Sequence, residues 1–211
     1  MAALEQLETE STPPRPDQGP EFFRRIAARY PILGDQRAWL ATLLLLTGIV
    51  YSPCLGHDFI LDQRTTIEFN PYLGDWSFLW KSFVHDDWWF RDPLHLPQSA
   101  YYRPIPNVWV SLNYHLFGLN PMGWHATGIA LHLVVIWLVF QAATLLTRNK
   151  WTGLVTAMLF GLMPIHAEAV AWAFGMPLGA AFQLGAFAIY LRGRAGRACP
   201  ASIAASLGLF A

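Results

Sequence analysis

Polar side chains that could perform acid–base chemistry or bind a phosphate lie at a few points of an otherwise apolar sequence. Asp58 and Asp62 follow the first apolar run, Arg103 lies later in the same loop, and His166 and Glu168 follow a third apolar segment. A carboxylate beside an arginine suits a reaction in which a base activates an acceptor hydroxyl while the cation holds a lipid-linked phosphate leaving group. Loop charges of this kind can equally pair with one another and keep the loop solvated. The residues alone leave both interpretations open.

The remaining histidines give little indication of a metal or cofactor site. His132 lies in the middle of an apolar run, where helix packing is the simpler interpretation. Ligation of a tetrapyrrole is the less favoured alternative, because no second histidine lies suitably on a neighbouring span. His57, His85 and His95 lack a zinc-binding spacing, so no metal site is predicted, and any need for a divalent metal is left open.

The composition indicates which solvent surrounds these groups. The 211-residue chain is 54% apolar and only 13% charged, with a formal net charge of zero. This composition is typical of a protein in a lipid bilayer and untypical of a soluble domain. Because no excess of positive charge exists, nucleic acid is not an expected partner.

The pattern along the chain predicts three regions. Residues 1–20 are rich in proline and are expected to form a disordered cytoplasmic tail. Residues 21–37 alternate aromatic residues with arginines at helical spacing, which predicts an amphipathic juxtamembrane helix on the lipid surface. Residues 38–211 are expected to form a transmembrane module whose large outer loop covers residues 56–121.

The apolar runs predict an all-α polytopic membrane protein with four transmembrane helices plus the start of a fifth. The predicted spans are 39–55, 122–146, 151 to about 164, and 177–191, with the fifth beginning near the end of the sequence. Two segments of the outer loop, 75–84 and 106–117, have helical spacing but are too short to span, so they are predicted to be interfacial helices.

The distribution of basic residues predicts the orientation. Five arginines precede the first span, Arg148 and Lys150 follow the second, and three arginines follow the fourth. Basic residues remain on the cytoplasmic side, so the amino terminus and both basic turns are expected there, with the 56–121 loop outside. In a bacterium this membrane is the inner (cytoplasmic) membrane; in a eukaryote it is the endoplasmic reticulum membrane.

Three segments, in this order and spacing, carry a family resemblance: HDFILDQRTTIEFNPYL, YYRPIPNVWVSLNYHLFGLNPMGWHATGIALHLV and MPIHAEAVAWAFGMPLGAA. They resemble the amino-terminal membrane part of the transmembrane, tetratricopeptide-repeat-containing O-mannosyltransferases, which are GT-C type glycosyltransferases, and their bacterial relatives. The resemblance covers about residues 38–195.

The resemblance implies transfer of a sugar from a polyprenyl-phosphate donor to a protein hydroxyl on the outer membrane face. Asp62 matches the acidic residue after the first span, which would be the catalytic base. Tyr102 and Arg103 match the YRP motif, and His166 with Glu168 match the motif after the third span, so these four are the implied substrate-binding residues.

The sequence also differs from the family at several motif positions. Gln63 stands where the family commonly has a second aspartate, Met163 where it has a histidine, and residues 175–178 where it has Gly-Arg-x-Asp. Two functions are therefore predicted: part of a GT-C-like glycosyltransferase, or a non-catalytic structural subunit of a larger membrane complex derived from that family. Membrane lipid and other membrane protein subunits are the expected partners.

Overall fold

The computed structural model describes residues 35–91 and 101–195, together with residue 208, and the regular elements within 35–91 and 101–195 are all helical. The α-helices of these ranges are α1 Gln36–Tyr51, α2 Ser77–Lys81, α3 Pro104–Phe117, α4 Pro121–Thr147, α5 Lys150–Leu162, α6 Ala167–Ala171 and α7 Pro177–Ala195. Short 3-10 helices occupy Ser52–Gly56, Trp89–Arg91 and Pro164–His166, and a π-helix occupies Arg64–Glu68. The all-α prediction is confirmed for this part of the chain.

Two helices in the described ranges are long and apolar enough to cross a membrane: α1 with its 3-10 extension to Gly56, and α4. A third span exists if α5 and the following segment Pro164–Ala171, which is bent from it by 55°, act as one. The protein is thus a membrane protein with two or three candidate spans, and the predicted four are not confirmed. The predicted fourth span is the 19-residue helix α7, whose Gln183, Arg192 and Arg194 make it less apolar than α1 and α4.

Several predicted features lie outside the described residues. These are the disordered tail 1–20, residues 21–34 of the amphipathic helix, and the start of a fifth span apart from residue 208. The end of the predicted amphipathic helix belongs instead to α1. The Asp35 carboxylate accepts a hydrogen bond from the Arg37 backbone N–H at 2.9 Å, which caps α1 and begins it at Gln36.

The membrane helices pack around α4, which contacts α1, α5 and α7. The buried core between them consists of Leu43, Val135, Ile136, Val139, Leu154 and Ala157. α4 and α5 form a close hairpin. Arg148 adopts a left-handed conformation that ends α4, and the Asn149 side chain caps α5 by accepting from the Trp151 backbone N–H at 2.9 Å. A Cβ added at Gly153 would lie 2.9 Å from the Phe140 carbonyl oxygen, so the two backbones approach each other as only glycine allows.

The 56–121 loop has its own core, which packs on the amino-terminal end of α4. Its buried members are Phe59, Ile67, Leu73, Phe78, Trp89, Phe90 and Val110 of the loop, Trp124 of α4, and Ala173. Trp124 Nε1 donates a hydrogen bond to the Gly118 carbonyl oxygen at 2.9 Å. Burying large aromatic side chains is strongly favourable, so this core fixes the loop in position above the membrane helices.

A helix exists at each of the two segments predicted to be interfacial, with changed boundaries, and their interfacial position stays a prediction. α2 covers only Ser77–Lys81 of the predicted 75–84, because the Asp75 carboxylate binds the Ser77 backbone N–H and hydroxyl at 2.8 and 2.6 Å ahead of it. These hydrogen bonds lower the pKa of Asp75. α3 begins at Pro104, two positions before the predicted 106, since proline fits the first turn of a helix.

Candidate functional site

A cavity of about 590 Å³ lies between the outer loop, α3 and the segment that leads into α7. Its polar wall consists of Asp62, Thr66, Asp87, Arg103, Asn107 and Gln183. The rest of its lining is largely apolar and aromatic, with Trp88, Trp172, Phe174, Met176 and Phe182 among its members. A cavity with few polar groups on an apolar frame is the usual form of a small-molecule site.

Asp62 reaches the cavity from a tight turn of the loop. Leu61, the residue before it, has a φ of 49°, a left-handed conformation that is uncommon for a branched side chain. The chain then enters the π-helix Arg64–Glu68, in which Arg64 and Glu68 form an ion pair at 2.9 Å. Asp62 is exposed and lines the cavity, so its carboxylate is accessible to a ligand.

Gln63 holds this turn in place. Its side chain is 1% exposed, and its Oε1 accepts a hydrogen bond from the Ile60 backbone N–H at 3.1 Å. Its Nε2 donates to the carbonyl oxygen of Ala171 at 3.3 Å. The residue that replaces the family's second aspartate is therefore a structural link between the loop and α6.

Arg103 and Asp87 face the cavity from adjoining segments. The Asp87 backbone N–H donates to the Tyr101 carbonyl oxygen at 2.9 Å, which joins the two segments. The Arg103 guanidinium lies 4.7 Å from the centre of the Tyr101 ring, immediately before α3. Burial raises the pKa of Asp87, while the charge of Arg103 and the nearby Asn107 side chain partly oppose that rise.

Asn107 lies in the first turn of α3 and borders the same cavity. Its side chain is 3% exposed. Its side chain lies close enough to Asp87 to lower the pKa of that carboxyl group. Its Nδ2 is nevertheless buried and meets hydrogen-bond geometry with no group in the described part of the chain. Buried amide groups normally have partners, so this donor is placed for a ligand or a water molecule.

The structure brings two of the residues singled out from the sequence to one cavity: Asp62 and Arg103. Tyr102 is elsewhere; its side chain is 59% exposed, and its hydroxyl donates to the Phe83 carbonyl oxygen at 2.9 Å. Glu168 borders a separate, smaller cavity of about 150 Å³, which shares Trp172 and Met176 with the larger one.

His166 lies among aromatic rings instead of in the large cavity. Its ring centre is 4.2 Å from that of Phe160 and 5.6 Å from that of His132. The sequence analysis found no second histidine suitably placed for His132, whereas in the structure the bend after α5 brings His166 beside it. Tyr51 packs on His132 from the other side at 5.1 Å. The contacts of this cluster are ring-to-ring packing, and among residues 35–91 and 101–195 no three side chains that could hold a metal ion converge.

The sequence analysis did not identify Asp87, Trp88 or Asn107 as site residues. A weak signal existed in HDDWWF, where two aspartates precede two tryptophans, and in the asparagine one turn into the helix that begins after Arg103. Neither pattern is specific enough by itself to identify a site.

Comparison with known proteins gives several relatives. The chain is 31% identical over 153 residues to protein O-mannosyl-transferase TMTC1 of Mus musculus, which covers 72% of this chain and 16% of that protein. It is 33% identical over 135 residues to TMTC1 of Homo sapiens, covering 62% and 15%, and 30% identical over 160 residues to protein O-mannosyl-transferase TMTC3 of Homo sapiens, covering 74% and 17%. The chain thus spans about a sixth of the length of these curated relatives. No protein-family model and no solved structure matches it.

Proposed function

Because this chain is a relative of the protein O-mannosyl-transferases, we propose that it forms part of a GT-C-like membrane glycosyltransferase that uses a polyprenyl-phosphate sugar donor. The proposal depends chiefly on one observation: Asp62 and Arg103, far apart in sequence, line one cavity beside an aromatic wall. A base, a cation and an apolar surface are the three elements that transfer from a lipid-linked sugar phosphate requires.

In the proposed reaction, a protein hydroxyl oxygen attacks the anomeric carbon of the donor sugar. A new carbon–oxygen bond forms, the bond from that carbon to the phosphate oxygen breaks, and the electron pair leaves with the polyprenyl phosphate. The Asp62 carboxylate accepts the hydroxyl proton. Arg103 donates hydrogen bonds to the phosphate and offsets its charge as it leaves.

The apolar wall suits the lipid part of such a donor. Trp172 and Met176 border both the large cavity and the small one, so an apolar surface continues from one to the other. An isoprenoid chain gains free energy by covering such a surface, and the exposed Trp76 and Trp80 of the loop suit the headgroup level of a bilayer.

We place the amino terminus on the cytoplasmic side and the cavity on the outer side, in the inner membrane of a bacterium or the endoplasmic reticulum membrane of a eukaryote. The basic turn Arg148–Lys150 and the arginines of α7 support this orientation. In this arrangement α7 is a fourth, less apolar span whose two arginines lie at the cytoplasmic surface.

A second function, a non-catalytic subunit of a larger membrane complex, has its own support. Gln63 is a buried link where the family has a carboxylate, and Met176 and Leu178 line the cavity where the family has charged residues. A scaffold tolerates these replacements, whereas an active site loses electrostatic stabilisation with each charge removed.

A transfer assay separates the two functions. The full chain in lipid nanodiscs is incubated with polyprenyl-phosphate [¹⁴C]mannose and a peptide rich in serine and threonine, and label in the peptide is counted. The enzyme proposal expects transfer that Asp62→Asn lowers by roughly 100-fold or more, since general bases contribute about that much. Asp58→Asn, an exposed carboxylate of the same loop outside the cavity wall, is the control. Absence of transfer by the wild type, together with stoichiometric copurification of another membrane protein, would favour the scaffold.

A further inference from the structure

We propose that Asp87, Trp88 and Asn107 form the subsite that binds the sugar ring of the donor, a hexopyranose with several free hydroxyl groups. This inference rests on the proposed function and adds the location of sugar recognition, which neither the family motifs nor the sequence analysis assigned. It follows from an unused hydrogen-bond donor, a carboxylate and an indole that border one cavity.

The unused donor is the strongest of these observations. Asn107 is almost fully buried on α3 and is one of the residues that line the cavity, and its Nδ2, although near the Asp87 carboxylate, meets hydrogen-bond geometry with no group among the described residues. A buried N–H group that lost its water on folding is unfavourable unless a ligand or a water molecule accepts from it. A sugar hydroxyl oxygen is such an acceptor, and a sugar lacking that hydroxyl would leave the donor unpaired again.

Asp87 complements this donor with acceptors. Its carboxylate borders the cavity next to Asn107 and within the field of Arg103, and its backbone is held by the hydrogen bond to Tyr101. An ionised carboxylate can accept from two hydroxyl groups of one ring, while the neighbouring amide donates to one of them. An acceptor and a donor side by side discriminate among sugars by the direction in which each hydroxyl points.

Trp88 supplies the surface for the ring itself. Its indole lines the cavity, and the Arg91 guanidinium lies 4.2 Å from the centre of the indole, which holds the ring in position. The C–H face of a hexopyranose is apolar and packs favourably on an indole. Each group of the two substrates then has its own residues: Arg103 binds the phosphate, this subsite binds the sugar, and Asp62 remains free for the acceptor hydroxyl.

The test compares two labelled probes, polyprenyl phosphate and polyprenyl-phosphate mannose, by scintillation-proximity binding to the full chain in nanodiscs. We expect the wild type to bind the mannose-bearing carrier roughly tenfold more tightly, as one or two hydrogen bonds would give. Asn107→Leu, which keeps the branched shape but has no hydrogen-bonding atom, should reduce this preference to less than about twofold while leaving the dissociation constant of bare polyprenyl phosphate unchanged. Asn107→Ala, which also removes both amide donors, should do the same and serves if the leucine variant does not fold. Ser111→Ala is the matched control, since Ser111 is buried one turn further along α3 and does not line the cavity.

The outcomes distinguish this inference from the proposed function. If the wild type binds neither carrier, the proposed function fails. If it binds both equally, or if both Asn107 variants keep the preference for mannose, the sugar subsite is wrong while the donor assignment stands. A preference lost equally in Ser111→Ala would also refute the subsite, because the effect would then come from α3 as a whole.

Discussion

The Gln63 side chain donates a hydrogen bond to the carbonyl oxygen of Ala171 at 3.3 Å, which joins the turn that carries Asp62 to the short helix after the third apolar segment. The same side chain accepts from the Ile60 backbone N–H. Two parts of the chain that are 108 residues apart thus meet beneath the candidate catalytic carboxylate. This link fastens the turn that carries Asp62 to α6.

Changing Gln63 should destabilise the protein. Gln63→Ala removes the side-chain partner of two part-buried backbone groups, the Ile60 N–H and the Ala171 carbonyl, which we expect to cost about 1–3 kcal/mol of unfolding free energy. Gln63→Asp should cost more, because a carboxylate cannot donate to Ala171 and brings an unpaired charge into a buried site. Thermal unfolding in detergent measures both, with the exposed Gln183→Ala as the control. Equal midpoints for Gln63→Ala and wild type would contradict the structural role.

Arg103 should govern binding of the phosphate group. We expect Arg103→Gln to weaken binding of polyprenyl phosphate by roughly 10- to 100-fold, in line with the loss of a charge-assisted hydrogen bond. Arg103→Lys should bind polyprenyl phosphate less tightly than the wild type and more tightly than Arg103→Gln. An ammonium group keeps the positive charge but lacks the planar set of N–H donors of a guanidinium. Arg64→Gln is the control, because Arg64 is already paired with Glu68. Binding that tolerates Arg103→Gln would place the phosphate elsewhere.

Asp87 should make stability depend on pH in a definite direction. Because burial raises its pKa in the folded state above the ordinary value of 3.8, the folded protein holds this proton more tightly than the unfolded chain does. The stabilisation is complete below pH 3.8 and is lost as pH rises through the raised pKa. Relative to Asp87→Asn, the wild type should therefore lose stability as the pH rises through this window.

Thermal unfolding of the wild type and Asp87→Asn over a pH series checks this expectation. Arg103→Gln should extend the loss to higher pH, since the arginine opposes the rise of the Asp87 pKa. A difference between wild type and Asp87→Asn that stays constant across the series would show that the Asp87 carboxyl titrates normally.

Gly175 should be intolerant of a side chain. It has a φ of 66°, and a Cβ there would lie 2.7 Å from Trp109 Cδ1. Gly175→Ala should therefore cost at least about 1 kcal/mol from backbone strain, with the contact adding to this. Gly179→Ala provides the contrast, since its Cβ would meet nothing within 4 Å and alanine favours the helix. Unfolding midpoints that fall equally for both variants would argue against this conformation at Gly175.

The sequence predicted some parts of this structure much better than others. α4 lies within one residue of its predicted 122–146 at each end, because a long apolar run is preceded by Asn120, which caps it, and by Pro121 at its first position. Two of the predicted spans, or three if α5 and the bent segment after it act as one, are found as candidate spans, and the fourth is not confirmed because the apolar run that begins at Pro177 contains Gln183 and ends in arginines. α2 was predicted too long, because the hydrogen bonds of Asp75 to Ser77 cannot be inferred from hydrophobic spacing.

The residues of the candidate site were also predicted unevenly from the sequence. Asp62 and Arg103 were identified through motifs, and their shared cavity could not be inferred from local patterns. Asp87 and Asn107 were missed because their importance comes from contacts between the loop and α3, which depend on how the loop core folds. Tyr102, adjacent to Arg103 in its motif, directs its hydroxyl to Phe83 instead of to the cavity, so its role in substrate binding stays a prediction.

The hairpin of α4 and α5 has a consequence for biogenesis. Arg148 and Asn149 form its turn, and Gly153 allows the two helices to pack closely. None of these residues lines the cavity, so the hairpin can assemble without the cavity residues. Two apolar helices joined by two residues can enter the bilayer together soon after leaving the ribosome. Insertion of this pair is therefore separable from the later folding of the outer loop. A substitution in the cavity can then abolish its chemistry while the chain still inserts normally.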